Sequence, residues 1–162
     1  MVEIKAGSGE AMVVALEDYE AGLLRGLIAE MRTLLRADVP RSDPVVARLF
    51  PDAYDSAPDA NSFRALVGDE LTEEKMRAVQ VVEGKLGTSG PVAAELGGDE
   101  IDAWLTAIND IRLALGTRLE VDEERMAAPV RNGDADDQAL SVLHWLGWIQ
   151  ELTLEHLQEG AR

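Results

Sequence analysis

Histidine and carboxylate side chains are the groups from which a chain without cysteine could build a catalytic or metal site. The two histidines, His144 and His156, lie on one predicted helix, too far apart along it to share a metal ion. His144 stands between Leu143 and Trp145, which favours a packed, hydrogen-bonded imidazole, with a pH-sensing or proton-transfer role as the alternative. We therefore predict neither a metal site nor a cofactor.

Acidic residues are abundant, but their spacing is not typical of a catalytic pair. Asp99 and Glu100 fall in the first turn of a predicted helix, where each stabilises the helix dipole by about 0.3–1 kcal/mol. The acidic run 120–124 has no histidine beside it, and Gly97-Gly98 lacks the spacing of a phosphate-binding loop. These patterns predict a protein that is not an enzyme.

The composition disfavours several classes of protein. The 162 residues include 31 acidic and 15 basic ones, and the formal charge of -16 opposes non-specific binding to nucleic acid or to an anionic membrane. The absence of cysteine excludes disulfides, zinc thiolates and thiol redox switches within this chain. No apolar run has the length of a membrane span and the first residues lack a signal-peptide core, so we expect a cytoplasmic protein without membrane contact.

Arg25, Arg32 and Arg36 form a basic stripe on one face of a helix that is predicted to begin near Asp18 and to end near Ala37. The stripe could pair with the chain's own carboxylates, or it could dock an acidic partner. Direct DNA binding would need this stripe or a similar patch to overcome the net charge.

The stretch Trp104–Leu119 predicts the central helix, because its apolar residues recur at helical spacing. Asn109, Arg112 and Gly116 line up on a second face of that helix. Arg112 could be buried against a carboxylate or loop carbonyls, or it could be presented to a partner. A glycine inside a helix costs about 1 kcal/mol against alanine, so Gly116 predicts close approach by another backbone.

The last predicted helix, from about Ala139 to Leu157, is apolar on most sides and is therefore either central or shared with a second subunit. Trp145 and Trp148 lie on one side of it. Core packing explains this pair, and so does an interface in a homodimer or with another partner, where tryptophan is enriched.

These elements predict a mainly α fold, a single-domain helical bundle over residues 1–162 with a small two-stranded β-sheet. Met12–Leu16 and Val92–Leu96 each precede a helix and could pair as the two strands. Residues 1–10 are expected to be a frayed start, and residues 120–137 an acidic, mobile connector before the last helix.

Proline and glycine positions divide the middle of the chain. Asp43-Pro44 predicts the start of a short helix, Val45 to Phe50. Asn61 is expected to cap the next helix, Gly68 could bend or split it, and Gly87 should end it.

Several segments in order resemble an actinobacterial family catalogued as domain of unknown function 2017, which includes AosR-like oxidative-stress regulators. The segments are Ala47–Tyr54, Phe63-Arg64 with Leu71 and Lys75, Ala103–Leu119 and His144–Glu151. They cover nearly the whole chain.

The resemblance implies a non-enzymatic role in transcriptional control linked to oxidative stress and sulfur metabolism, with RNA polymerase or a sigma factor as partner. Redox-sensing members are expected to use a cysteine pair, and this chain has no cysteine, so that switch cannot operate within it. A direct DNA-binding regulator and a protein-binding adaptor unrelated to transcription are the alternatives.

Overall fold

The computed structural model describes residues 1–37, 43–50, 57–119, 124 and 135–161, with the backbone alone for 57–69 and 135–136. The chain is mostly helical and carries a small antiparallel sheet. Its elements in order are β1 (Glu3–Ala6), β2 (Met12–Leu16), α1 (Asp18–Arg36), α2 (Pro44–Leu49), α3 (Ala57–Leu86), β3 (Val92–Leu96), α4 (Gly98–Arg118) and α5 (Ala135–Gly160).

The sheet has the order β1-β2-β3, and both pairings are antiparallel. The predicted pairing of Met12–Leu16 with Val92–Leu96 is confirmed, with Met12 opposite Leu96 and Leu16 opposite Val92. Alternate residues of β2 are buried, as expected for a strand with one face against helices.

The predicted frayed start at residues 1–10 and the two-stranded sheet were wrong, because β1 adds a third strand beside β2. Val2 is buried, and Gly9, at φ 60, lies in the turn that leads into β2. A strand of four residues with two charged side chains has no clear apolar alternation. The strand β1 forms because it pairs with β2, and the local sequence pattern of β1 does not reveal that pairing.

Helices α1 and α4 begin in the same way, each with a single residue between the end of a strand and the start of the helix. The backbone N–H of Glu17 donates to the Glu20 carboxylate at 3.1 Å, and that of Gly97 donates to the Glu100 carboxylate at 3.0 Å. The N-cap of α1 is therefore Glu17 and not Asp18, while Ala37 ends the helix where it was predicted to end.

The middle helices follow the proline and glycine signals in part. Helix α2 begins at Asp43-Pro44 as predicted, with the Asp43 carboxylate accepting from the backbone N–H groups of Val45 and Val46, and Gly87, at φ 65, ends α3. Helix α3 begins at Ala57, so Asn61 lies inside it, and the helix runs without a break past Gly68. Residues 51–56, between α2 and α3, lie outside the described residues.

Helix α4 is the central element, as predicted, since it packs against α1, α2, α3, α5 and β3. Trp104 and Ile108 are among its fully buried side chains. The core is built mainly from Leu, Ile, Val, Met and Ala.

Helix α5 begins at Ala135, inside the predicted connector 120–137, and the rest of that connector apart from residue 124 lies outside the described residues. In the described part of the chain, no helix is both long and apolar enough to cross a membrane.

Candidate interaction surface

The basic stripe of α1 is largely engaged with the chain itself. Arg25 donates from Nη2 to the carbonyl oxygens of Leu86, at 2.6 Å, and Gly90, at 2.8 Å. Arg32 pairs with Glu83 at 3.1 Å, and Arg36 is exposed. Arg25 thereby satisfies the carbonyl at the end of α3 and fixes the turn into β3.

The second face of α4 meets α5. Nη1 of Arg112 donates to Oε1 of Gln150, while Asn109 is exposed. A Cβ on Gly116 would lie 3.9 Å from the side chain of Leu143, which is ordinary van der Waals contact. The close approach occurs instead at Gly147, where a Cβ would lie 3.3 Å from Nη2 of Arg112.

The tryptophans of α5 are partly buried and pack against the core. Trp145 lines the same groove as Glu20 of α1 and helps to lower the pKa of that carboxyl. Trp148 lies one turn further along the helix. Nε2 of His144 is buried and has no hydrogen-bond partner among the described residues.

A buried polar contact that the sequence did not suggest joins α4 to α5. The indole N–H of Trp104 donates to Oγ1 of Thr153 at 3.2 Å, and that hydroxyl donates to the carbonyl of Ile149 at 2.8 Å. Both side chains are almost completely buried, so the hydroxyl satisfies a donor that water cannot reach.

A second polar contact, between Lys75 of α3 and Asp110 of α4, was also not predicted. Nζ of Lys75 lies 2.8 Å from Oδ1 of Asp110, with the side chains 14% and 5% exposed. Nζ also lies 5.8 Å from the centre of the Phe50 ring, just after α2. Burial raises the pKa of Asp110, and the hydrogen bond from Lys75 opposes that shift. The pair links α3 to α4.

An open groove of about 850 Å³ with aromatic and acidic lining residues lies between the first turns of α1 and the first half of α5. We call it the α1–α5 groove. It is lined chiefly by Glu17, Tyr19, Glu20, Leu23, Val142 and Trp145.

Glu20 lines the α1–α5 groove and accepts hydrogen bonds from the backbone of the chain itself. Its carboxylate accepts from the backbone N–H of Val2 at 2.9 Å and from that of Glu17 at 3.1 Å. Burial alone would raise its pKa, but these hydrogen bonds and the amino group of Met1 hold the pKa below the ordinary value. Glu20 therefore stays ionised at neutral pH.

Two other lining residues of the α1–α5 groove, Glu17 and Tyr19, are more exposed than Glu20. The side chain of Glu17 is 74% exposed, and its Oε1 lies 2.6 Å from the amino group of Met1. Tyr19 is 81% exposed, the largest exposed fraction of any large apolar or aromatic residue in the described part of the chain. Sequence reasoning missed this surface because its two sides are far apart in the chain.

Among the described residues, no three histidine or carboxylate side chains converge closely enough to hold a metal ion. The described chain is thus a mostly helical fold with a small antiparallel sheet and an open groove between α1 and α5. The chain belongs to the DUF2017 family, a domain of unknown function, whose sequence profile matches residues 1–157.

Proteins similar in sequence to this chain are named as oxidative stress regulators. The putative oxidative stress regulator AosR of Mycobacterium leprae is 32% identical over 126 residues, which cover 67% of this chain and 56% of that protein. The oxidative stress regulators AosR of Mycobacterium bovis and Mycobacterium tuberculosis are each 31% identical over 126 residues, covering 68% of this chain and 57% of theirs. The chain therefore spans little more than half the length of these relatives. No solved structure matches it.

Proposed function

We propose that this protein is a non-enzymatic regulator linked to oxidative stress, acting through protein–protein contacts with the transcription machinery, either RNA polymerase or a sigma factor. The observation that carries the proposal is the similarity, over two thirds of the chain, to proteins named oxidative stress regulator. The family match over residues 1–157 supports applying that role to the whole described fold.

The charge distribution favours protein contacts over direct DNA contacts. The formal charge is -16, and Arg25 and Arg32 of the basic stripe are engaged with carbonyl and carboxylate oxygens of the chain itself. A DNA-binding surface needs several basic groups free to neutralise phosphates. On α1 only Arg36 is exposed without a described ion pair, which is too little charge for such a surface.

The chain has no thiol, so a redox signal must reach this regulator by another route. A partner that carries the oxidant-sensitive group is the simplest route compatible with control by protein contacts. The proposal therefore places the oxidant sensor outside this chain.

Affinity capture from a lysate of the source organism, with the folded chain as bait at low and moderate salt, tests the proposal. Recovery of RNA polymerase or a sigma factor, identified by mass spectrometry and repeated with purified components, is the expected result. Clean recovery of a protease component or a metabolic enzyme alone would instead indicate an adaptor unrelated to transcription.

A parallel titration of labelled duplex DNA separates the DNA-binding alternative. We expect no saturable binding at moderate salt. Binding whose affinity falls steeply with salt and is weakened by Arg36→Ala would favour a direct DNA-binding regulator.

A further inference from the structure

We infer that the α1–α5 groove is the docking surface for a polypeptide segment that presents a bulky apolar side chain next to lysine or arginine. The inference rests on the proposed function, since it assigns the protein contacts of the regulator to one surface. It follows from the shape, the exposed aromatic group and the charge of the groove.

The apolar part of the groove is large enough to hold a side chain and is not filled by the described residues. The groove has a volume of about 850 Å³. Leu23, Val142 and Trp145 line it, and each of these side chains is only partly buried. Tyr19 stands at the edge with most of its surface in water. Partner binding buries such rigid aromatic groups at small entropic cost, and they commonly contribute a large share of the binding energy.

The charged part of the groove is acidic. Glu17 and Glu20 line it, and no lysine or arginine is among the lining residues that the structure describes. Among the described residues, the cation at the groove is the amino group of Met1, at 2.6 Å from Glu17 and 3.2 Å from Glu20. The side chain of Glu17 is 74% exposed, so its carboxylate can accept a second primary ammonium group, that of a partner's lysine, beside the amino group of Met1.

The same charges select the class of partner. Phosphate groups would be repelled by two carboxylates and by a formal charge of -16, so nucleic acid does not fit. A basic polypeptide would be attracted over a distance set by the ionic strength, and its apolar side chain would then occupy the floor.

Amide spectra of the nitrogen-15-labelled chain test the inference directly. The probe is a short synthetic peptide with a Leu-Phe-Leu centre flanked by lysines, added to about 1 mM, a concentration that detects weak binding. The comparison peptides carry glutamate in place of lysine, or serine in place of the apolar centre. We expect shifts confined to residues 17–23 and 138–145 with the first peptide and much smaller shifts with the other two.

Two matched pairs of variants separate the groove from general surface effects. Tyr19→Ser should weaken peptide binding about tenfold, while Leu154→Ser, which removes another exposed apolar side chain outside the groove, should not. Glu17→Gln should weaken binding by up to about fivefold and reduce its salt dependence, while Glu155→Gln, with the same change in net charge, should leave both unchanged.

Several results would overturn the inference. These are shifts outside the groove, equal binding of the acidic peptide, or no shift at the highest concentration. Shifts of the groove amides that depend on protein concentration without peptide would assign the groove to a second copy of the chain.

The capture experiment distinguishes failure of this inference from failure of the proposed function. If Tyr19→Ser retains RNA polymerase or a sigma factor as well as Leu154→Ser does, the regulator proposal stands and the groove assignment is wrong. If neither the parent nor the variants recover transcription proteins but the peptide still binds in the groove, the assignment stands and the transcriptional role is wrong.

Discussion

Lys75 and Asp110 form a largely buried ion pair, 2.8 Å between Nζ and Oδ1, where α3 packs on α4. Burial raises the pKa of Asp110 above its ordinary value of 3.8, with the hydrogen bond from Lys75 acting in the opposite direction. For a carboxyl group with a raised folded-state pKa, stability falls as the pH rises from the unfolded value through the folded one. The ionised pair thus links two helices, but keeping the buried carboxyl ionised lowers the free energy of unfolding.

Breaking this pair on one side should cost more than removing it altogether. Lys75→Met leaves the Asp110 carboxyl buried without its partner and should lower the free energy of unfolding by about 3–5 kcal/mol. The double variant Lys75→Met/Asp110→Leu should be more stable than either single variant, because no buried charge remains. Urea unfolding of the four proteins measures this, and additive losses would argue against a coupled pair.

Gly147 and Gly26 are both helical glycines, but only Gly147 has a neighbour in the way. Gly26→Ala adds a methyl group in open space and should stabilise the fold by about 0.5–1 kcal/mol through helix propensity. Gly147→Ala should gain less or destabilise, because its Cβ would press on Arg112 and disturb the bond to Gln150. Thermal unfolding compares them, and equal gains would show that Arg112 moves aside freely.

Removing the Thr153 hydroxyl should leave the indole N–H of Trp104 without its acceptor. Thr153→Val keeps the shape of the side chain, so the expected loss of about 1–3 kcal/mol is that of an unsatisfied buried donor. Thr33→Val is the control, since Thr33 makes the same type of backbone bond, to Ala29, on an exposed face. Urea unfolding should show a change of less than about 0.5 kcal/mol for the control.

The Glu20 carboxylate should contribute a pH-dependent part of the stability. Its folded-state pKa is lowered, so the contribution is complete above the ordinary value of 4.5 and is lost as the pH falls through the folded value. Glu20→Gln should therefore destabilise by about 1–2 kcal/mol near neutral pH, and the difference from the parent should shrink in acid. Unfolding curves from pH 7 to about pH 3 test the sign, with Glu30→Gln on the exposed face of α1 as control.

A homodimer through α5 is a separate prediction. If Trp148 lies in that interface, Trp148→Ala should shift the mass distribution in sedimentation velocity toward the monomer, provided that circular dichroism shows the helices intact. A parent protein that sediments as a monomer at all concentrations would remove the dimer.

Local patterns predicted the elements that are long or strongly punctuated. The central helix, the short helix after Asp43 and the end of α3 at Gly87 follow from apolar periodicity, capping and a left-handed glycine. The pairing of β2 with β3 followed from the likeness of two apolar runs that each precede a helix.

What could not be predicted depends on contacts between distant segments. The sequence around Lys75 and Asp110 does not indicate that the two side chains form an ion pair. On α4, the sequence does not indicate that Asp110 is buried while the neighbouring Asn109 is exposed. The α1–α5 groove is lined by residues such as Glu20 and Trp145, which lie on two helices far apart in the chain. Such surfaces follow from the assembled packing and have no signature within either segment.

The order of strands in the sheet has a consequence for synthesis on the ribosome. β1 and β2 emerge first and can pair as a hairpin, but the open edge of β2 must wait for β3, which follows three helices. Until β3, which ends at Leu96, has been made, β2 lacks one of its two partner strands. Its apolar side chains Met12, Val14 and Leu16, which are buried in the complete fold, are only partly shielded from water during this interval. A nascent chain in this interval offers an unpaired edge to other chains, so slow translation between α1 and β3 should favour aggregation or chaperone binding.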